Sequence, residues 1–174
     1  MTAQLQGLPT TAGLWAVSDS RTLVTFSVGH LGHHVHGSVP VDWGEIELNS
    51  AGAPSRVRAE LDLNGLDTGV AKRDADLRKA HFLDIDRHPT MSWSADRFAA
   101  AGEGCWTAEG RLSVRGTSTP LTVKGTVESA ALDGESVRVR ASGVLDRAAV
   151  GIRAPSFLIG RIVEIEIDAW LLRA

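Results

Sequence analysis

The sequence predicts an all-β protein: a closed antiparallel barrel with one helical insertion around residues 70–83. Three observations lead there. Apolar residues recur with a period of two through most of the 174 residues, as they do in strands with one buried face. Short segments rich in Gly, Pro, Ser and Asp separate these runs, so neighbouring strands should pair antiparallel. Some runs are long, since Arg161 to Arg173 would span roughly 40 Å if extended, and the inward faces are almost purely aliphatic. Eight or nine such strands fit a sandwich or a barrel. The long strands and the aliphatic faces favour an elongated barrel, whose interior is either filled by side chains or holds one ligand.

In chain order, residues 1–13 read as a flexible N-terminal segment and 14–174 as a single barrel domain. "TLVTFSV" sets Val24, Phe26 and Val28 on one face, and after a histidine-rich stretch the chain resumes with "EIEL". In "SRVRAELDLNG" the residues Val57, Ala59, Leu61 and Leu63 oppose Arg56, Arg58, Glu60 and Asp62. "VAKRDADLRKAHFL", Val70 to Leu83, breaks the rhythm: it is rich in helix formers, with Val70, Asp74, Leu77 and His81 three or four apart and Thr68 as the expected N-cap. Alternation returns with Met91 and Trp93, then Leu112 and Val114, then Leu121, Val123 and Val127. Val137, Val139 and Ala141 follow, and the last run sets Val163, Ile165, Ile167 and Ala169 against Glu164, Glu166 and Asp168.

Composition narrows function. A formal net charge of -3, with Lys and Arg scattered, gives no basic surface for nucleic acid, so none is expected as a partner. A single cysteine, Cys105, can form neither an internal disulfide nor a Cys-based zinc site. The N-terminal residues lack the cationic and apolar runs of a signal peptide, and no apolar stretch reaches the length of a spanning helix. The expectation is a cytoplasmic protein with no integral membrane segment. No Gly-x-Ser-x-Gly elbow and no glycine-rich phosphate loop occurs. A non-enzyme without cofactor is therefore expected.

"FSVGHLGHHVHG", "TGVAKRDADLRKAHFLDIDRHP", "GRLSVRGTSTPLTV" and "LDRAAVGI" occur in that order, and together they resemble the landmarks of the YceI-like family of bacterial lipocalin-like polyisoprenoid-binding proteins. The most specific are Arg73-Asp74-x-x-Leu77-Arg78 with Phe82, Asp84 and Pro89, and the segment holding Arg115, Gly116, Thr117 and Pro120. The resemblance implies an extended eight-stranded antiparallel barrel with a helical insertion, whose apolar lumen takes a polyisoprenoid or fatty-acyl lipid, often as a homodimer. The chain departs from the family at Arg21-Thr22, where His-Ser is common, and at Leu83, where a second aromatic is usual.

The candidate ligand wall is the inward set: Phe26, Val28, Val57, Ala59, Leu61, Met91, Trp93, Leu112, Val114, Val139, Ile165 and Ile167. His30, Arg73 and Arg115 are rim candidates. The alternative is a metal-binding protein or metal-dependent enzyme using His30, His34 and His36, which share strand parity. Against it, no carboxylate stands within the segment. We expect His30 to make a structural hydrogen bond and its neighbours to be solvated. Trp170 and Leu172 extend an apolar strip on the outer face of the last strand, which is either a homodimer seam or a helix-covered patch, the homodimer being the expectation.

Overall fold

The computed structural model describes residues 12–50, 53–102, 104–130, 135–153 and 159–174. Most of the expected N-terminal segment, 1–13, lies outside them, and Gly13 already belongs to a strand. The strands are β1 (Gly13–Val17), β2 (Leu23–His30), β3 (His33–Val39), β4 (Val41–Leu48), β5 (Pro54–Asp62), β6 (Thr90–Gly102), β7 (Cys105–Val114), β8 (Thr117–Ala130), β9 (Ser136–Asp146) and β10 (Ile159–Arg173). One helix, α1 (Ala71–Leu77), stands between β5 and β6.

Each strand from β4 to β10 pairs antiparallel with the next, and β1 closes the ring between β4 and β10. The long β10 pairs with β1 through Leu171–Arg173 and with β2 through Ile159–Asp168. Between them, Ser18 N donates to Trp170 O at 2.8 Å and Trp170 N donates to Thr22 Oγ1 at 3.1 Å, so the chain leaves β10 only briefly. Likewise β3 and β4 are one strand broken at Pro40, which has no N–H to give a ladder. Ten strands thus occupy eight positions, forming the closed eight-stranded antiparallel barrel expected.

Alternation places the apolar residues inside. Two clusters fill the two ends of the barrel. One holds Trp15, Ile46, Leu48, Val57, Trp106, Val137 and Leu171 near the turns after β4, β6 and β8; we call this end the floor. The other holds Leu61, Leu63, Leu83, Ile85, Val114 and Val150 at the opposite end, the roof, beneath the insertion between β5 and β6.

The helix is shorter than expected, ending at Leu77 and not at Leu83. Leu83 and Ile85 are both buried against the barrel, yet on a helix they would point about 200° apart. Turns bring both inward: Leu83 N donates to Leu77 O, Ile85 N donates to Arg78 O, and Asp84 takes φ 49°. Thr68 is not the N-cap either. Gly69 intervenes with φ 81°, the cap position falls to Val70 without a side-chain bond, and Thr68 is bound by Arg73 and Asp74 instead.

Candidate functional site

Enclosed by the ring is an elongated apolar cavity of about 290 Å³ that reaches from roof to floor. Every residue of the expected inward set lines it: Phe26, Val28, Val57, Ala59, Leu61, Met91, Trp93, Leu112, Val114, Val139, Ile165 and Ile167. The reason is the strand period. Partners across each ladder share a face, so Leu61 meets Met91, Ala59 meets Trp93, and Ile165 meets Phe26 all on the inside. Among the described residues, no carboxylate lines the cavity. Such a wall binds by burial, with each methylene removed from water contributing about 0.8 kcal/mol.

The aromatic rings of Trp93 and Trp106 belong to this wall. Trp93, on β6, passes its indole over Gly110 of β7 and donates Nε1–H to the Leu121 carbonyl of β8 at 3.0 Å. Phe98 meets Trp106 edge-on, with ring centroids 5.8 Å apart.

Several lining residues were not among the expected ones. The insertion contributes Leu66, Leu77, Phe82 and Leu83, whose inward placement follows from its fold and not from any periodicity. Trp106 carries the β7 alternation of Leu112 and Val114 on through Gly110 and Ala108, and that extension was the available signal. Arg147 is the one charged lining residue among the described residues, 5 % exposed. Its Nε, Nη1 and Nη2 donate to the carbonyls of Gly160, Ile152 and Ile159, each at 2.9 Å. It therefore pins the segment after β9 to the start of β10.

The three rim candidates do not line the cavity. Arg73 donates to Thr68 Oγ1 and Thr68 O, both at 2.8 Å, and so secures the start of the helix. Arg115, held at φ 56° in the β7–β8 turn, donates to Gly151 O at 2.6 Å and Ala80 O at 2.7 Å, tying the insertion to the end of β9. His30 ends β2 opposite His33.

That pairing corrects the histidine parity. Leu31 and Gly32 form a two-residue hairpin turn with φ of 49° and 82°, and counting parity through a turn is invalid. His30 and His33 face one side, with Phe26 and Val28, while His34 and His36 pair with Gly29 and Ser27 on the other. The rings of His34 and His36 lie 6.4 Å apart. Among the described residues, no three His, Cys, Asp or Glu side chains are gathered as a metal would need. On the outer strip of β10, Arg21 lies 3.9 Å and Arg138 5.8 Å from the Trp170 ring centroid, while Leu172 is exposed.

Comparison with known proteins agrees with this architecture. A UPF0312 protein of Pseudomonas savastanoi pv. phaseolicola is 27% identical over 138 residues, covering 76% of this chain and 71% of the relative. One of Ectopseudomonas mendocina is 28% identical over 102 residues, 58% of this chain, and the chain spans about half of that relative's length (53%). Among solved structures, Burkholderia cenocepacia BcnA superposes with a TM-score of 0.80 at 15% identity over 88% of this chain and 98% of that one. A polyisoprenoid binding domain from Saccharophagus degradans, implicated in plant cell wall breakdown, gives 0.70 at 12% identity over 94% and 100%. Both show a shared fold. The YceI-like domain model matches residues 15–171, nearly the whole barrel, and the chain belongs to the YceI-like family.

Proposed function

We propose that this protein binds a single long apolar chain, a polyisoprenoid or fatty-acyl lipid, inside the barrel and shields it from water without transforming it. The apolar cavity inside the ring is the observation that carries the reading. Its volume stands near the lower limit of small-molecule sites, about 300–1,000 Å³, and its elongated shape between two walls of aliphatic side chains suits a slender ligand. The polyisoprenoid binding described for the Saccharophagus degradans domain supports the same class of cargo. The inward set named above forms the wall, and affinity is spread over many small contacts.

Native mass spectrometry of the purified protein, followed by organic extraction, tests this. The expected result is an adduct that passes into solvent and that Ala59→Trp eliminates, since Ala59 faces Trp93 inside the lumen. A mass offset matching a transition metal, with an empty organic phase and no uptake of a prenyl or fatty-acyl probe, would sink it. The same spectra report whether the protein is a homodimer.

A further inference from the structure

Three inward-facing glycines, Gly37, Gly110 and Gly125, have backbone conformations open to any residue, for none has a positive φ. What forbids a side chain at Gly37 and Gly125 is an aromatic ring, and at Gly110 it is a backbone carbonyl together with one. A Cβ on Gly125 would stand 2.7 Å from Cζ2 and Cη2 of Trp106 and 3.0 Å from Cε2. One on Gly37 would stand 2.6 Å from Cε1 of Phe26 and closer still to Cζ. At Gly110 a Cβ would meet the Trp93 indole at 2.6 Å, and also the Ser94 carbonyl.

The register explains why these pairs matter to the lumen. Trp106, Gly125, Ala141, Ile167 and Val24 are consecutive partners round the barrel. The next inward row toward the roof runs Val123, Gly143, Ile165, Phe26, Gly37. In each row one ring lies beside one glycine. A ring given that space rests along the wall; deprived of it, the ring must turn toward the cavity it lines.

We infer that Gly125 and Gly37 are specificity-determining residues: by receding beneath Trp106 and Phe26 they set the length and the bore of the lumen. This rests on the proposed lipid binding. Trp106 belongs to the floor, so its displacement shortens the lumen and excludes the ends of long chains. Phe26 stands one row higher, where its displacement narrows the bore and penalises methyl-branched chains.

The test is displacement of a fluorescent fatty acid by unbranched fatty acids and prenyl alcohols of increasing length, on the full chain and its variants, with melting curves alongside. Gly125→Ala should leave short chains unaffected and weaken the longest chains accepted by about tenfold, the loss for two methylenes left outside. Gly37→Ala should weaken prenyl alcohols more than fatty acids of equal length. Trp106→Leu removes atoms and should move the length limit upward, so it serves if Gly125→Ala does not fold. Length and branching profiles identical to the natural protein's in the folded variants would overturn the inference while leaving lipid binding intact. Failure of the natural protein to bind any member of either series would overturn the lipid reading itself.

Discussion

At the floor, the lumen is stopped by side chains of the barrel: Trp15 and Trp106 pack among Ile46, Leu48, Val137 and Leu171, and Arg173 stacks 5.5 Å from the Trp15 ring centroid. At the roof, the stopper is a separate piece of chain, the 63–89 insertion. Leu63 and Ile85 of this insertion are buried, but its helix buries no residue. Arginines hold the roof by its main chain. Arg115 reaches Ala80 O and Gly151 O, and Arg73 and Asp74 hold Thr68, while nearby Arg147 fixes the segment after β9. The floor is closed by packing distributed over the barrel, the roof by the packed side chains Leu63, Leu83 and Ile85 of one segment together with a few directional bonds. A roof carried on one segment can loosen without disturbing the sheet, whereas the floor cannot.

The sharpest break of this contrast is Trp15→Ala. Trp15 is 2 % exposed and joins β1 to both β4 and β10, where the barrel closes. Truncation should cost about 3–5 kcal/mol, read as a lower denaturant midpoint with unchanged slope. A loss below about 1 kcal/mol, on the scale of an ordinary surface substitution, would show that the floor is not where the barrel is held together.

Arg115→Ala addresses the roof and should cost less, about 1–2 kcal/mol for two charge-assisted bonds at a partly exposed site. The pattern matters more than the sum. Amides of 79–88 should exchange hydrogen faster while those of β6 and β7 keep their protection. Uniform loss of protection would mean that roof and barrel open together as one unit.

The two ends were unequally legible in the sequence. Strand parity fixes which residues face inward, so Phe26, Trp93, Leu112 and Ile165 could be placed on the lumen before any coordinates, because a period of two leaves no other choice once one face is apolar. Roof residues obey no such rule. Phe82 and Leu83 sit in a run of helix formers, and tertiary burial of Leu83 and Ile85 overrode that propensity. His34 and His36 went to the opposite side from His30 because a two-residue turn, invisible to a parity count, lies between them. Arg115 looks like a ligand-binding cation in sequence, but its partners are carbonyls some 35 residues away along the chain. Periodicity reports faces; it does not report such tethers.

The outer wall offers the smallest and most specific change. On the solvent face of β9 and β10, Arg138 donates Nε and Nη2 to the two carboxylate oxygens of Asp168 at 2.8 and 2.6 Å, and Arg140, the cross-strand partner of Asp168, adds a longer contact. These hydrogen bonds from Arg138, with the attraction of both guanidinium charges, hold the Asp168 carboxyl below the usual aspartate value despite some desolvation. A depressed folded-state value means that the unfolded chain takes up a proton first as pH falls. The contribution is complete above the unfolded value of about 3.9 and is lost as pH drops from there through the depressed folded value. Asp168→Asn should therefore lower the melting temperature slightly at pH 7, by less than Arg115→Ala, and the gap from the natural protein should close below about pH 4. Lumen affinity should not change at either pH, since Asp168 faces away from the cavity that Ile165 and Ile167 line. A gap that stays constant through acid would assign the loss to packing and not to charge. A change in ligand affinity would show that the outer wall and the lumen are coupled, which an alternating strand with a rigid sheet does not predict.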